Sequence, residues 1–269
     1  MLRDKLMAHR EPVDGFRWRS REITRIEGFS DAVFGFALTL LIVSLEVPKT
    51  STELLQTMRG FGAFVITFMI LTRLWYAQFT FFRRYALEDR VTVTLNLMLL
   101  FTVLFFVYPM KFLFTNMLEN PFLKGTIPSE HGLVRVVLPE HRPPIFLIFG
   151  AGFAAVFGVF YLLYRRAYQQ RAALGLNDFE IFETEHSMGR FRVAAMVGLA
   201  YIPTAWLQTL PSRTAGEKKL VFAVSAGILM IFMVLLTSMA RMARARRRAR
   251  AEWKARQAPE GPGPDEPIE

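Results

Sequence analysis

Ser30 and Asp31 stand just inside the first turns of an otherwise apolar run, RIEGFSDAVFGFALTLLIVSLEVP, from Arg25 to Pro48. A carboxylate placed in lipid is costly, so an ionisable residue there asks for a partner or a task. Three kinds of chemistry fit. Asp31 could cap the helix start, where free amides and the dipole favour an anion. It could bind a cation directly, or it could join a polar network that fastens the helix, with Arg25 as countercharge. Farther along, residues three and four apart share a face. Ala32, Phe36, Thr39, Leu40, Val43 and Val47 therefore form a nearly all-apolar stripe, flanked by the small residues Gly35 and Ala37 that permit close helix contact. Such a stripe either faces lipid or, repeated around a symmetry axis, encloses a passage whose hydrophobic rings gate by dewetting. Glu46, at the outer end of the run, is either an exposed helix-end carboxylate or one member of a ring that draws cations to a mouth.

Other polar and aromatic residues carry weaker signals. Trp75, Tyr76 and Tyr108 fall near membrane boundaries and read as interfacial aromatics. Arg73 interrupts an apolar helix, where it either snorkels to the surface or pairs with a carboxylate inside the bundle. Asn96 is suited to a hydrogen bond between helices. Glu183, Glu185 and His186, in ETEH, form one acidic cluster without a second His or any Cys, which is a poor metal site. Walker, dinucleotide-binding and nucleophile-elbow patterns are absent from the sequence, so it gives no basis for an enzyme or for a cofactor.

These residues must be positioned by helices in lipid. The chain has 269 residues, is 52% hydrophobic and contains 26 Phe and no Cys, which excludes a disulfide framework and thiolate metal sites. Six stretches approach the ~20 apolar residues that a spanning helix needs: 26–47, 57–80, 91–113, 145–165, 193–210 and 219–240. The expected fold is all-α, a polytopic membrane protein with six transmembrane helices per chain. The fifth stretch is the weakest and carries Pro203, a candidate kink. A Pro- and Gly-rich connection at about 114–144 reads as irregular, with HGLVRVVL as a short surface element.

Charge orients the arrangement. The 33 Lys and Arg exceed the 23 Asp and Glu, giving a net charge of +10. Most of these cations flank the apolar stretches on one side if both termini are cytoplasmic, as the positive-inside rule requires. The same placement favours anionic lipid over nucleic acid as the partner of the basic segments. The domains are then a basic cytoplasmic tail over 1–24, a six-helix membrane domain over 25–240, and a tail over 241–269 that is basic and then rich in Pro, Gly and acid. The charged first 24 residues lack the apolar core of a cleavable leader, so the first span is expected to be a retained anchor.

Arg25, Phe29, Ser30 and Asp31, followed by Ala32, Thr39 and Leu40, resemble the first-helix signature of the prokaryotic relatives of transmembrane protein 175, the endosomal and lysosomal potassium channel. Trp75, Asn96, Leu97 and Pro109 match a second block of that family. The resemblance implies a potassium-preferring channel in the cell membrane, without the TVGYG loop of the usual potassium-channel pore fold, and no such loop occurs here. It implies one six-helix unit per chain, a homotetramer, and a pore walled by the first helix of each subunit. The constriction residues would be Phe36, Leu40 and Val43, with Thr39 beside them. Arg25, Phe29, Ser30 and Asp31 would support the pore helix from its cytoplasmic end. Two residues depart from the family pattern. Gln78 replaces a His and removes a titratable group, and Phe36 stands where relatives more often carry an aliphatic residue. A secondary transporter and a non-conducting membrane scaffold are the alternative readings.

Overall fold

A computed structural model describes residues 16–20, 22–43, 47–119, 126–129, 132–135, 142–209 and 227. The chain divides into two units, Met1–Ile228 and Leu229–Glu269, and the second lies outside the described residues. Within the first unit the helices are α1 (Arg25–Val43), α2 (Ser51–Arg59), α3 (Phe61–Tyr85), α4 (Arg90–Glu119), α5 (Arg142–Gln169) and α6 (Asp178–Thr209). Two short antiparallel strands, β1 (Thr126–Ser129) and β2 (Gly132–Arg135), pair with Thr126 opposite Arg135. They occupy the connection expected to be irregular.

Among the described residues, four helical segments are long and apolar enough to cross a membrane: Arg25–Val43, Phe61–Tyr85, Arg90–Asn116 and Pro143–Gln169. The second span differs from the expected 57–80. Gly60 separates the short α2 from α3, and α3 continues to Tyr85. Arg83 and Arg84 therefore sit in its last turn, where cations complement the dipole, rather than in a following loop. The expected fifth span, 193–210, is the later part of α6. Charged residues fill the first half of that helix, and among the described residues the later half is not one of the four segments above. Pro203 and Pro109 both lie inside continuing helices. Apart from helical Gly227, the stretch 219–240 lies outside the described residues, as do the 241–269 tail and Glu46.

The helix starts are written locally. Thr24 and Glu27 form a capping box. The Thr24 amide donates to Glu27 Oε2 at 2.8 Å, and the Glu27 amide donates to Thr24 Oγ1 at 3.3 Å. Asn177 and Glu180 repeat the device at α6, with amide-to-side-chain distances of 3.1 and 2.8 Å. Before it, Gly175 takes a left-handed φ of 56°, and Leu176 donates to the Arg171 carbonyl at 3.0 Å, closing the turn that follows α5.

The helices α1, α3, α4 and α5 alternate in direction. Ion pairs between ends record this: Glu27 at the start of α1 meets Arg83 at the end of α3, and Asp89 before α4 meets Arg166 at the end of α5. The α5–α6 pair is the most extensive. Phe160 and Phe191 stack at 4.9 Å between ring centres, and Gly150 and Gly198 let the two backbones approach. α1 packs on α3 and α4, and α4 on α5.

Residues 16–20, expected as part of a tail, pack against this same end of the bundle. Phe16 is fully buried, edge-on to Tyr85 at 5.4 Å, with the Arg84 guanidinium 4.8 Å from its ring centre. The Arg19 amide donates to the Arg83 carbonyl at 3.0 Å.

Candidate functional site

The buried side of α1 is fastened by a directional chain of hydrogen bonds. Gln78 Nε2 of α3 donates to Asn96 Oδ1 of α4 at 3.1 Å, and Asn96 Nδ2 donates to Ser30 Oγ at 2.9 Å. Ser30 Oγ then donates to the Ile26 carbonyl at 2.7 Å. All three side chains are buried, so each needs its partner; an unpaired amide or hydroxyl there would lose its water without replacement. Gln78 supplies this network with a neutral donor, so the chain from α3 to α1 contains no titratable group.

Asp31 points elsewhere. It is exposed, and its Oδ1 accepts a hydrogen bond from Trp75 Nε1 at 2.7 Å. Trp75 is therefore more than an interfacial aromatic: its ring stacks on Phe79 at 5.7 Å while its N–H ties α3 to α1. Tyr76 and Tyr108 are exposed, as expected of surface aromatics.

The four residues grouped as pore-helix support separate in space. Ser30 enters the core and Asp31 meets Trp75, but Arg25 and Phe29 lie on the exposed side. Among the described residues, no hydrogen bond or ion pair joins Arg25 to Ser30 or Asp31. A carboxylate that was not singled out takes the inner position. Glu27 is buried, caps α1 through Thr24, and faces Arg83, with Oε1 and Nε 3.5 Å apart. Those two atoms attract as charges without forming a hydrogen bond. The spacing of Thr24 and Glu27 in TRIE was the available signal.

On the other side, Phe36 is 57% and Val43 75% exposed, with Ala32 and Thr39 exposed between and beside them. Leu40 is half-buried, because it lies at the edge of the stripe next to the fully packed Leu41. Thr39 Oγ1 donates to the Phe36 carbonyl at 2.8 Å. This uses the hydroxyl proton and leaves the oxygen lone pairs free to accept from a ligand or to meet a cation. α1 thus has one face locked by polar contacts to α3 and α4 and, among the described residues, one apolar face left exposed.

A further polar centre was not legible in the sequence. Glu180 is enclosed and receives Arg17 and Arg19: Arg19 Nη2 donates to Oε2 at 2.7 Å, and the Arg17 amide donates to Oε1 at 3.0 Å. Burial alone would raise the carboxyl pKa, but the Arg17 and Arg19 hydrogen bonds and the Arg17 and Asn177 amides outweigh it and hold the group at about 2. The ETEH residues form no metal cluster among the described residues.

Residues 25–106 match the family model for the endosomal/lysosomal potassium channel TMEM175. A potassium channel of Marivirga tractuosa is 38% identical over 175 residues, which cover 64% of this chain and 70% of that one. A potassium channel of Streptomyces collinus is 34% identical over 88 residues, 30% of this chain and 43% of its own. The crystal structure of a variant of the potassium channel MtTMEM175, bound to a nanobody fusion, superposes with a TM-score of 0.69 at 31% identity, covering 86% of this chain and 97% of that one. With the first-helix signature, the helices around it and a relative spanned over most of its length, this chain belongs to the TMEM175 potassium channel family.

Proposed function

We propose that this chain is the subunit of a homotetrameric, potassium-preferring cation channel of the cell membrane, with α1 of each subunit walling the pathway. The observation that carries this reading is the two-sided character of α1. A buried bond at Ser30 holds it to α4 and an exposed one at Asp31 holds it to α3, while Phe36, Thr39 and Val43 remain uncovered. Around an axis, Phe36, Leu40 and Val43 would make stacked hydrophobic rings that oppose wetting, and Thr39 would offer an oxygen to a partly dehydrated potassium ion. Arg25, Phe29, Ser30 and Asp31 support the start of this helix, and Glu46 concentrates cations at its far end. Potassium is the permeant ion and needs no cofactor.

The end of the bundle holding Arg83, Arg84, Arg90 and Arg166 faces the cytoplasm by the positive-inside rule, with both termini on that side and the C-terminal basic segment on anionic lipid. Potassium and sodium flux into liposomes tests the proposal. Purified protein should pass potassium faster than sodium, and Leu40→Ala should raise both fluxes. Protein that conducts neither ion, with flux insensitive to Leu40, would remove it.

A further inference from the structure

Arg73 lies at the middle of α3, twelve residues from either end of Phe61–Tyr85. At ~1.5 Å per residue that is about 18 Å of helix in each direction, farther than one extended side chain reaches. Its side chain is half-buried, and among the described residues its guanidinium makes no hydrogen bond, ion pair or cation–π contact. A permanently charged group at that depth is best matched by an anion. None of the described residues brings one to it.

The choice of anion is narrow. Within the four apolar segments the carboxylates are Glu27 and Asp31 alone. Glu27 is buried, bound to the Thr24 amide and set against Arg83. Asp31 is exposed and uses one oxygen on Trp75. Its depth is fixed by that bond: Trp75 is two residues from Arg73, about 3 Å along the helix axis. Rotation about an axis normal to the membrane changes no residue's depth, so in any cyclic assembly Arg73 and the Asp31 of another copy differ in depth only as much as they do within one protomer.

We propose that Arg73 forms an ion pair with Asp31 of the partner subunit, pinning α3 of one subunit to α1 of the next. This rests on the symmetric assembly proposed above. Each α1 would then be held by its own Trp75 on one oxygen of Asp31 and by a partner's guanidinium on the other. The pore helix would be fixed between subunits, and the pairing would close into a ring because the contact is head-to-tail.

The chain has no native Cys, so crosslinking reports only introduced sites. The double variant Asp31→Cys with Arg73→Cys, treated in membranes with a short bismaleimide, should give a covalent ladder of dimer, trimer and tetramer on denaturing gels. Each single variant should give none beyond dimer. A double variant that is oligomeric by native mass spectrometry yet crosslinks only within the monomer overturns the pairing. Arg73→Gln, which leaves the Asp31–Trp75 bond in place, provides the second arm: self-association should weaken at least about tenfold, with partial recovery in Arg73→Lys. Unchanged assembly in Arg73→Gln overturns the proposal. So does a variant whose only change is lost sensitivity to phosphatidylglycerol against phosphatidylcholine vesicles, which would make a lipid headgroup the partner. Wild-type protein that is monomeric in nanodiscs would instead remove the assembly itself, and the pairing with it.

Discussion

Asn96 Nδ2 donates to Ser30 Oγ across 2.9 Å, and this contact joins α4 to α1 over a separation of 66 residues. It is the middle link of a chain in which each donor has one acceptor. Asn96→Leu would leave the Gln78 amide without its acceptor and remove the donor that Ser30 Oγ accepts from, while Ser30 keeps its bond to the Ile26 carbonyl. A loss of about 1–2 kcal/mol is expected, the scale of polar contacts between membrane helices. Thermal unfolding in detergent checks it; a melting point equal to wild type would show that the chain of bonds contributes nothing net.

Phe36 is the bulkiest exposed residue of the α1 stripe between Phe29 and Val43. On the proposed pathway, Phe36→Ala should widen the constriction and raise potassium flux several-fold while reducing selectivity over sodium. Phe36→Trp should lower flux. Because the side chain is uncovered in the protomer, neither change should alter the folding of a single subunit, which circular dichroism can verify alongside the flux assay.

Glu180 links the strap at residues 16–20 to α6, and its pKa lies below the ordinary value of 4.5, at about 2. A depressed carboxyl pKa gives stability that is complete above the unfolded value and is lost as pH falls through the folded one. Wild type should therefore exceed Glu180→Gln in stability at pH 7, by about 1–3 kcal/mol for charge-assisted hydrogen bonds. The gap should close between pH 4.5 and 2. Arg17 is largely exposed, so Arg19, with 16% side-chain exposure, should account for most of the difference. Parallel melting curves of the two proteins across that range, with no convergence, would contradict the assignment.

Gly198 sits where α6 crosses α5. A Cβ added there would lie 2.6 Å from the Ala154 nitrogen and 3.0 Å from the Gly150 carbonyl oxygen, both backbone atoms that cannot turn aside. Gly198→Ala should cost about 1–3 kcal/mol through displacement of the two helices. Gly158→Ala, on the same helix pair but with open space around it, should be nearly neutral. The contrast can be read by melting temperature or by detergent-resistant yield.

Helical periodicity and hydropathy are local properties of the chain, and what depends on them was legible in the sequence. The apolar stripe through Phe36, Thr39 and Val43, the Arg25 helix start, the spans of α1, α4 and α5, and the family signature all follow from residues within one helix. Partner choice does not, because it depends on how antiparallel helices of distant sequence meet. Ser30 and Asp31 are adjacent in sequence, yet a rotation of about 100° per residue sends one inward to Asn96 and leaves the other outward on Trp75. Leu40 turns from the stripe toward the packed flank for the same angular reason. The residues that fasten the strap, Arg17 and Arg19, read as tail charges until folding brings Glu180 to them from more than 160 residues away. Sequence wrote the faces of α1; tertiary packing decided which face is held and which is left exposed.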